Sequence, residues 1–128
     1  MAKRSLRSLF AGALALLFAA LYAFADSSNE PGRAQFLKSC GVCHSADPGA
    51  APRQGPNLYG VIGRKSGSVP GYVYSPALAA SGFAWTEDAL DRWIENAKAV
   101  VPGNNMAYKQ ADPEKRKLVI DYLKSLKP

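Results

Sequence analysis

The chain has 128 residues, a formal net charge of +6, two cysteines and one histidine. This length fits a single domain, and 48% hydrophobic residues suffice for a modest core. The basic excess is mild and forms no dense stripe, so it favours an acidic protein partner over a nucleic acid.

The first 25 residues predict a secretory signal peptide. Three basic residues within the first seven precede an apolar run from Leu9 to Phe24, which ends in the small-residue pattern Ala23-Phe24-Ala25. Such a segment is removed on export, here by cleavage after Ala25, and it predicts a periplasmic protein. An uncleaved membrane anchor is the alternative, although the run is short for a span of about 20 residues. Cleavage would leave a domain over 26–128 with a formal charge of +3.

Helical patterns alternate with glycine- and proline-rich loops along this domain. The patterns predict a first helix over 28–43, a short one from Ser75-Pro76 to Ala80, a third that is capped by Thr86 and ends before Val101, and a last one from Asp112-Pro113 to about Lys127. The stretch from Ser45 to Gly71 is predicted to be loop. A loop of this length is unusual in a compact domain unless it surrounds a prosthetic group. Because no convincing strand or internal repeat occurs, the fold is predicted to be all-α.

The two long helices after this loop carry apolar residues at helical spacing. These residues are Leu90, Trp93, Ile94 and Ala97 in the third helix, and Leu118, Val119, Tyr122, Leu123 and Leu126 in the last. We expect these two faces to supply much of the core.

The motif Cys40-Gly41-Val42-Cys43-His44 contains both cysteines and the only histidine. The spacing C-x-x-C-H is typical of covalent haem c attachment. Two thiols three residues apart can reach one edge of a macrocycle and form thioethers with its two vinyl groups. The following imidazole, from His44, can then ligate the iron.

Three other interpretations of this motif are weaker. A C-x-x-C thiol oxidoreductase does not need a histidine directly after the second cysteine. A structural zinc site normally has four Cys or His ligands, and this chain offers three. A disulfide between residues three apart closes a very small loop and removes little entropy from the unfolded chain.

Met106 is the best candidate for a second iron ligand. It is the only methionine downstream of the predicted cleavage site, and it lies in the loop Pro102-Gly103-Asn104-Asn105-Met106. A lone loop methionine usually fills a gap in the packing. Here no second histidine exists, and a thioether is a soft donor that raises the reduction potential relative to His/His ligation.

In these motifs and their order the chain resembles the class I c-type cytochromes. The resemblance covers almost all of the predicted mature chain. It includes Gly32 and Phe36 before the attachment motif, Gly55-Pro56-Asn57-Leu58-Tyr59-Gly60-Val61-Ile62-Gly63-Arg64, Gly71-Tyr72-Val73-Tyr74-Ser75, Trp85, Pro102 to Met106, and Tyr122-Leu123. The resemblance implies a cytochrome c fold, with three main helices and short helical turns wrapped around one covalently bound haem c whose axial ligands are His44 and Met106.

The resemblance also implies roles for residues outside the motif. The carbonyl of Pro56 would accept a hydrogen bond from His44, and Gly32, Phe36 and Tyr122 would form the contact between first and last helices. The groups around the haem propionates would be Arg64, Tyr74, Ser75, Trp85 and Asn104. Each of the five carries a donor that suits a carboxylate.

Several positions depart from the family pattern. Trp93 stands where a tyrosine is usual near the methionine ligand, and Leu78 stands where an asparagine is common, so the pocket is expected to be drier. Ser39 and Asn105 replace frequent lysines of the partner-docking ring, which leaves Arg53, Lys98 and Lys109 as candidates.

The expected function is periplasmic one-electron transfer and not enzymatic turnover. The redox partners that the resemblance implies are a quinol-oxidising cytochrome complex, a terminal oxidase, a photosynthetic reaction centre or a periplasmic dehydrogenase. The chain is expected to be a monomer that binds no nucleic acid and inserts in no membrane after signal cleavage. A haem enzyme or gas-binding protein whose methionine leaves the iron, and a haem-free thiol oxidoreductase, are the alternatives.

Overall fold

The computed structural model describes residues 29–127, so the predicted signal peptide over 1–25 lies outside the described residues. The chain divides into a unit from Met1 to Glu30, almost all of it also outside them, and a compact unit from Pro31 onward. The helices of the described part are α1 (Glu30–Ser39), α2 (Pro76–Ser81), α3 (Glu87–Val100) and α4 (Pro113–Ser125). No strand is formed between residues 29 and 127, and the predicted all-α fold with three main helices is confirmed. Within the same range, no helix has the length and apolar character needed to cross a membrane.

The helices after α1 begin where side chains cap them. Ser75 and Asp112 accept hydrogen bonds from backbone N–H groups in the first turns of α2 and α4, and Thr86 accepts one from Ala89 at 3.1 Å in α3. These contacts satisfy donors that a helix start leaves without partners. At the other end of α2, Gly82 adopts the left-handed conformation at φ 68° that terminates many helices.

The first helix is shorter than predicted, because it ends at Ser39 and not at Cys43. The N–H groups of Cys40 and Gly41 both donate to the carbonyl of Phe36, at 2.7 and 2.9 Å, which tightens the chain into a turn. A glycine directly after Cys40 favours this change, since glycine is a poor helix former. The cysteine motif therefore lies in turns that follow the helix.

Apolar side chains of α3 and α4 build much of the core. The predicted face of α3 is confirmed, with Leu90, Trp93, Ile94 and Ala97 all buried. The predicted face of α4 is wrong at Leu118, whose side chain is 37% exposed, while Ile120 is buried beside Val119 and Leu123. Successive positions Val119 and Ile120 are both buried because the helix packs over a wide stripe of its surface.

The first and last helices approach closely at Gly32. A Cβ atom at this position would lie 2.6 Å from the carbonyl oxygen of Leu118 and 2.9 Å from the Cβ of Tyr122. One turn further along α1, the rings of Phe36 and Tyr122 are in contact with centroids 5.3 Å apart. The predicted contact of Gly32, Phe36 and Tyr122 is thus confirmed.

Helix α3 is interrupted near its end. Asn96 has φ −161° and ψ 89°, which are not helical values. The carbonyl of Ile94, two residues earlier, accepts a hydrogen bond from the N–H of Gln110 at 2.9 Å. This bond fixes the loop between α3 and α4 against the helix, and that loop carries Met106.

The predicted loop from Ser45 to Gly71 contains no helix or strand, as expected. Backbone hydrogen bonds hold it against the segment before α3, because Gly63 donates to Trp85 at 2.9 Å and Trp85 donates to Arg64 at 2.9 Å. Lys65 and Ala84 form an isolated antiparallel bridge beside them. The loop is therefore well anchored although it is irregular.

Candidate functional site

A cavity of about 630 Å³ lies among the helices and the long loop. Its size falls within the range of sites for organic ligands and cofactors, and its walls are mostly apolar. Of the residues predicted for the site, those that line the cavity are Cys40, Cys43, His44, Arg64, Tyr74, Ser75, Trp85 and Met106. The structure thus brings together side chains from five separate stretches of the chain.

The two cysteines are presented to the cavity by the turns that follow α1. The N–H groups of Cys43 and His44 both donate to the carbonyl of Cys40, at 3.0 and 2.9 Å. The two cysteines are not joined in a disulfide, and Cys43 Sγ donates to Gln54 Oε1 at 3.2 Å. The compact turn places both thiols and the imidazole in the wall of one cavity.

The His44 ring is fixed by the loop that faces it. Its Nδ1 lies 2.8 Å from the carbonyl oxygen of Pro56, an acceptor only, so Nδ1 carries the proton and Nε2 is left as the basic nitrogen. Burial lowers the pKa of His44, and the hydrogen bond to Pro56 opposes this shift. A Cβ on Gly55 would lie 2.3 Å from the ring carbon Cε1, so only glycine permits this approach. A neutral imidazole held in one tautomer is the form that binds metals.

A hydrogen bond from its backbone N–H group holds Met106 in place. Its N–H donates to Oδ1 of Asn104 at 2.7 Å, and the Asn104 amide nitrogen donates to the carbonyls of Ala97 and Val101 at 2.8 and 2.6 Å. Asn104 is almost fully buried, at 1% exposure. This side chain therefore ties the loop of Met106 to the end of α3.

Asn104 is the one predicted cofactor-binding residue that is not in the cavity lining. Both ends of its amide already have protein partners. Its expected contact with a haem propionate stays a prediction, and the structure gives it a different contact to the loop of Met106. The pattern Pro-Gly-Asn-Asn-Met contains no signal that separates these two roles.

The sulfur of Met106 has a partner of its own. The indole Nε1 of Trp93 donates to Met106 Sδ at 3.0 Å. Trp93 is buried in α3 at 6% exposure and packs edge-on against Trp85, with ring centroids 5.1 Å apart. The sequence identified Trp93 as an unusual residue near Met106 and did not predict this hydrogen bond.

Polar side chains form another part of the wall. The Arg64 guanidinium donates to the carbonyls of Tyr59 and Asn57 at 3.0 and 2.9 Å, and burial lowers its pKa. The Tyr74 hydroxyl accepts a hydrogen bond from Val69 N at 3.1 Å. Arginine and hydroxyl donors in a largely apolar cavity suit a ligand that carries carboxylates at one edge.

Two cavity residues were missed by sequence reasoning. Gln54 bonds to Cys43 through its side chain, and its carbonyl accepts a hydrogen bond from the Tyr72 hydroxyl at 2.9 Å. The rings of Tyr72 and Tyr74 also contact each other, with centroids 4.7 Å apart. The spacing of the two tyrosines, i and i+2, was the available signal, because such residues share a side in extended chain. Gln54 has no comparable signal in the sequence.

The geometry disfavours two of the other interpretations of the motif. Burial and the neighbouring Cys43 raise the pKa of Cys40 to about 11, whereas a reactive redox thiol needs a lowered pKa. Between residues 29 and 127, no three Cys, His, Asp or Glu side chains cluster in a way that could hold a metal ion. A zinc site built from protein ligands therefore has no support in this range.

The residues of the cavity fit a haem c. Two adjacent thiols, an imidazole with a fixed tautomer and a thioether share an apolar cavity, together with donors for carboxylates. Imidazole and thioether are the ligand pair of low-spin haem in electron carriers. Gly55 approaches the imidazole of His44 so closely that a Cβ atom would not fit between them. This approach fixes the orientation of the ring as a ligand, and packing of an apolar core alone does not require it.

Comparison with known proteins agrees with this fit. Residues 29–127 match the family model described as Cytochrome c. The chain is 46% identical over 97 residues to a cytochrome c2 of Rhodopila globiformis, covering 75% of this chain and 91% of that protein. It is 41% identical over 105 residues to cytochrome c-550 of Novispirillum itersonii, covering 73% and 95%. A cytochrome c of Euglena viridis is 42% identical over 99 residues, covering 77% and 96%.

Proposed function

The chain belongs to the cytochrome c family as a class I c-type cytochrome, and from this premise we propose that it carries single electrons in the periplasm through a haem c ligated by His44 and Met106. Membership makes it a small electron-transfer protein and not an enzyme, and it implies a covalently bound haem c. The axial ligands, the compartment and the partners belong to the proposal.

One observation carries the assignment of the ligands. Cys40, Cys43, His44 and Met106 line the same cavity, although more than 60 residues separate the motif from the methionine. Apart from these, the described chain offers no histidine, cysteine or methionine for the iron. The imidazole of His44 is therefore the available nitrogen ligand, and the thioether of Met106 is the available soft sulfur ligand.

The protein's part in electron transfer is to hold the site rigid and dry. The haem iron, when bound, supplies the reversible one-electron couple. Pro56 fixes the His44 ring, Asn104 fixes the loop of Met106, and apolar walls exclude water. Because both ligands are held from separate, hydrogen-bonded segments, gain or loss of an electron requires little rearrangement of the protein.

Removal of the methionine tests the ligand assignment. In the protein purified from cells with haem-attachment machinery, haem should resist extraction by acidified acetone, since two thioethers hold it. Met106→Ala should abolish the weak charge-transfer band between the sulfur and ferric iron and lower the reduction potential. Lys109→Ala, a change of an exposed residue three positions away, should alter neither property. Rapid cyanide binding by the unmodified ferric protein would instead indicate an open iron position and a gas-binding or enzymatic role.

The proposed location rests on the signal pattern that precedes the domain. A cleaved signal predicts a periplasmic protein whose first residue is Asp26. Mass spectrometry of the intact haem protein from a periplasmic extract should give the mass of residues 26–128 plus one haem. A product that keeps residues 1–25 and sediments with membranes would establish the anchored alternative.

The proposed partners are a quinol-oxidising cytochrome complex, a terminal oxidase, a photosynthetic reaction centre or a periplasmic dehydrogenase. Cationic side chains lie around the segments that line the cavity: Arg53 donates to the carbonyl of Gly41 at 2.6 Å, Lys98 donates to that of Asn104, and Lys109 is exposed. Stopped-flow reduction by each partner at several salt concentrations identifies the physiological one. A bimolecular rate that falls with added salt supports an acidic docking face, and a salt-independent rate excludes one.

A further inference from the structure

Arg116 is a cationic side chain of α4 in the interior of the domain. Its side chain is only 8% exposed, although arginine is rarely buried unless it is paired. Nε donates to Asp91 Oδ1 at 2.7 Å, and Nη2 donates to Asp91 Oδ2 at 3.3 Å. These two hydrogen bonds match the planar guanidinium to a carboxylate of α3, and Glu95 lies 3.7 Å from Nη1. The charge of Arg116 is therefore balanced by acidic side chains of α3.

The same guanidinium also holds the methionine loop, residues 102–111 between α3 and α4. Its Nη1 donates to the carbonyls of Gln110 and Ala111, at 3.0 and 2.9 Å. The N–H of Gln110 in turn donates to the carbonyl of Ile94 in α3, at 2.9 Å. Gln110 is thus fixed through both of its backbone polar groups. An ion pair between two helices does not require these contacts with the loop backbone.

Arg116 and Asn104 hold the methionine loop on opposite sides of Met106. Asn104 lies two residues before Met106, and its amide is bonded to the end of α3. Gln110 lies four residues after Met106 and is bonded to α3 and to Arg116. Because the segment between these two anchors is short, fixing both ends restricts the positions open to the methionine sulfur. Release of one end increases the number of conformations that the segment can adopt.

We propose that Arg116 is a positioning residue, which keeps Met106 on the haem iron by anchoring the downstream end of the methionine loop. The inference rests on the proposed function, in which Met106 is an axial ligand. A thioether is a weak donor, so its occupancy of the iron depends on how firmly the protein holds it. Without the anchor, we expect the loop to move away from the iron more often and to admit another ligand.

The rate at which imidazole displaces Met106 from ferric iron tests the proposal. At saturating imidazole this rate equals the rate at which the loop opens, because the added ligand binds only after the sulfur has left. Arg116→Leu removes the hydrogen bonds of the guanidinium and leaves an apolar side chain. We expect the limiting rate to rise about ten- to hundredfold, since two charge-assisted bonds to the loop are lost.

Ile120→Ala is the matched control. It removes apolar volume from α4, where Ile120 is 6% exposed, and leaves the hydrogen bonds of Arg116 in place. This change lowers the stability of the whole domain without releasing the loop, so we expect its limiting rate to change less than about twofold.

The outcomes separate the anchoring role from a general loss of stability. A rise of equal size in Arg116→Leu and Ile120→Ala overturns the proposal, and so does a rise of less than about threefold in Arg116→Leu. Loss of the sulfur-to-iron charge-transfer band in Arg116→Leu alone supports it. Absence of that band in the unmodified protein would instead contradict the assignment of Met106 as a ligand.

Arg116→Lys covers the case in which Arg116→Leu does not fold. Lysine keeps the positive charge beside Asp91, but its single nitrogen cannot bond to the carboxylate and to both loop carbonyls with the geometry of the guanidinium. We expect the limiting rate of imidazole binding to rise about threefold or more. A smaller rise in Arg116→Lys overturns the proposal.

Discussion

Asn104→Ala is expected to loosen the methionine loop before the rest of the domain unfolds. The change removes three hydrogen bonds, two donated to the carbonyls of Ala97 and Val101 and one accepted from Met106 N–H. The carbonyls keep other partners, since Val101 N donates to Ala97 at 3.0 Å and the residue 104 N–H donates to Val101 at 3.2 Å. Only the Met106 N–H is left without a hydrogen-bond partner.

These differences determine how much Asn104→Ala should lower the free energy of unfolding. Two lost bonds with satisfied partners cost about 0.5–1 kcal/mol each, and one donor without a partner costs about 1–3 kcal/mol, so the sum is about 2–5 kcal/mol. This is a large part of the stability of a small domain, which is about 5–15 kcal/mol.

A guanidinium titration monitored by two signals separates local loosening of the methionine loop from unfolding of the whole domain. The charge-transfer band should disappear at a lower denaturant concentration than far-ultraviolet circular dichroism in Asn104→Ala, and at similar concentrations in the unmodified protein. Asn105→Ala, at the exposed neighbouring position, should behave like the unmodified protein. If Asn104→Ala costs less than about 0.5 kcal/mol and leaves the band transition in place, the loop-anchoring argument is wrong, and a contact with a haem propionate becomes the better account of this side chain.

Further changes test other parts of the structure. Gly32→Ala should destabilise the fold by about 1–2 kcal/mol in guanidinium titration, because overpacking against the rigid Leu118 carbonyl outweighs the gain of about 1 kcal/mol in helix propensity; a more stable variant would contradict the close approach. Gly55→Ala should displace the imidazole of His44, which its Cβ would meet at 2.3 Å, and should lower the yield of protein with a normal low-spin spectrum; an unchanged spectrum and yield would show that the loop yields easily. Asp112→Asn keeps the helix cap and removes the charge. Hydrogen bonds, the largest from the Lys115 side chain, lower the pKa of Asp112 from its usual 3.8, so the carboxylate stabilises the fold above pH 4 and this contribution is lost as the pH falls through the lowered pKa. The melting temperatures of the two proteins should therefore differ at pH 6 and converge at low pH, and a difference that stays constant with pH would exclude the charge as its cause.

The cysteine motif could be interpreted from sequence because its chemistry is local. Cys40, Cys43 and His44 are close in the chain, so their spacing alone predicts that they meet one ligand. The contact between His44 and Pro56 came from the family resemblance, since nothing in the spacing of these residues requires it. The structure supplies the glycine beside them that makes the approach sterically possible.

The contacts around Met106 could not be predicted, because they depend on how loops pack. The break at Asn96 occurs without a proline, in a helix whose apolar spacing continues to Ala97. It accompanies the bond from Gln110 to the carbonyl of Ile94, 16 residues earlier in the chain. Such a bond is a tertiary contact, and helix propensity carries no information about it.

The face of α4 shows a smaller failure of the same kind. Periodicity placed Leu118 in the core, but its side chain is 37% exposed, and Ile120 is buried instead. Helical spacing fixes which residues share a side, whereas the rotation of the helix is set by its neighbours. Here the backbone of Leu118, and not its side chain, lies closest to α1 at Gly32.

The position of Cys40 has a consequence for its reactivity. Burial and the neighbouring Cys43 raise the pKa of Cys40 to about 11 in the closed fold, so little of the thiol is ionised at neutral pH. Its side chain also lies in the cavity wall. Because the thiolate is the reactive form, the closed fold disfavours chemistry at Cys40, and a more open chain favours it.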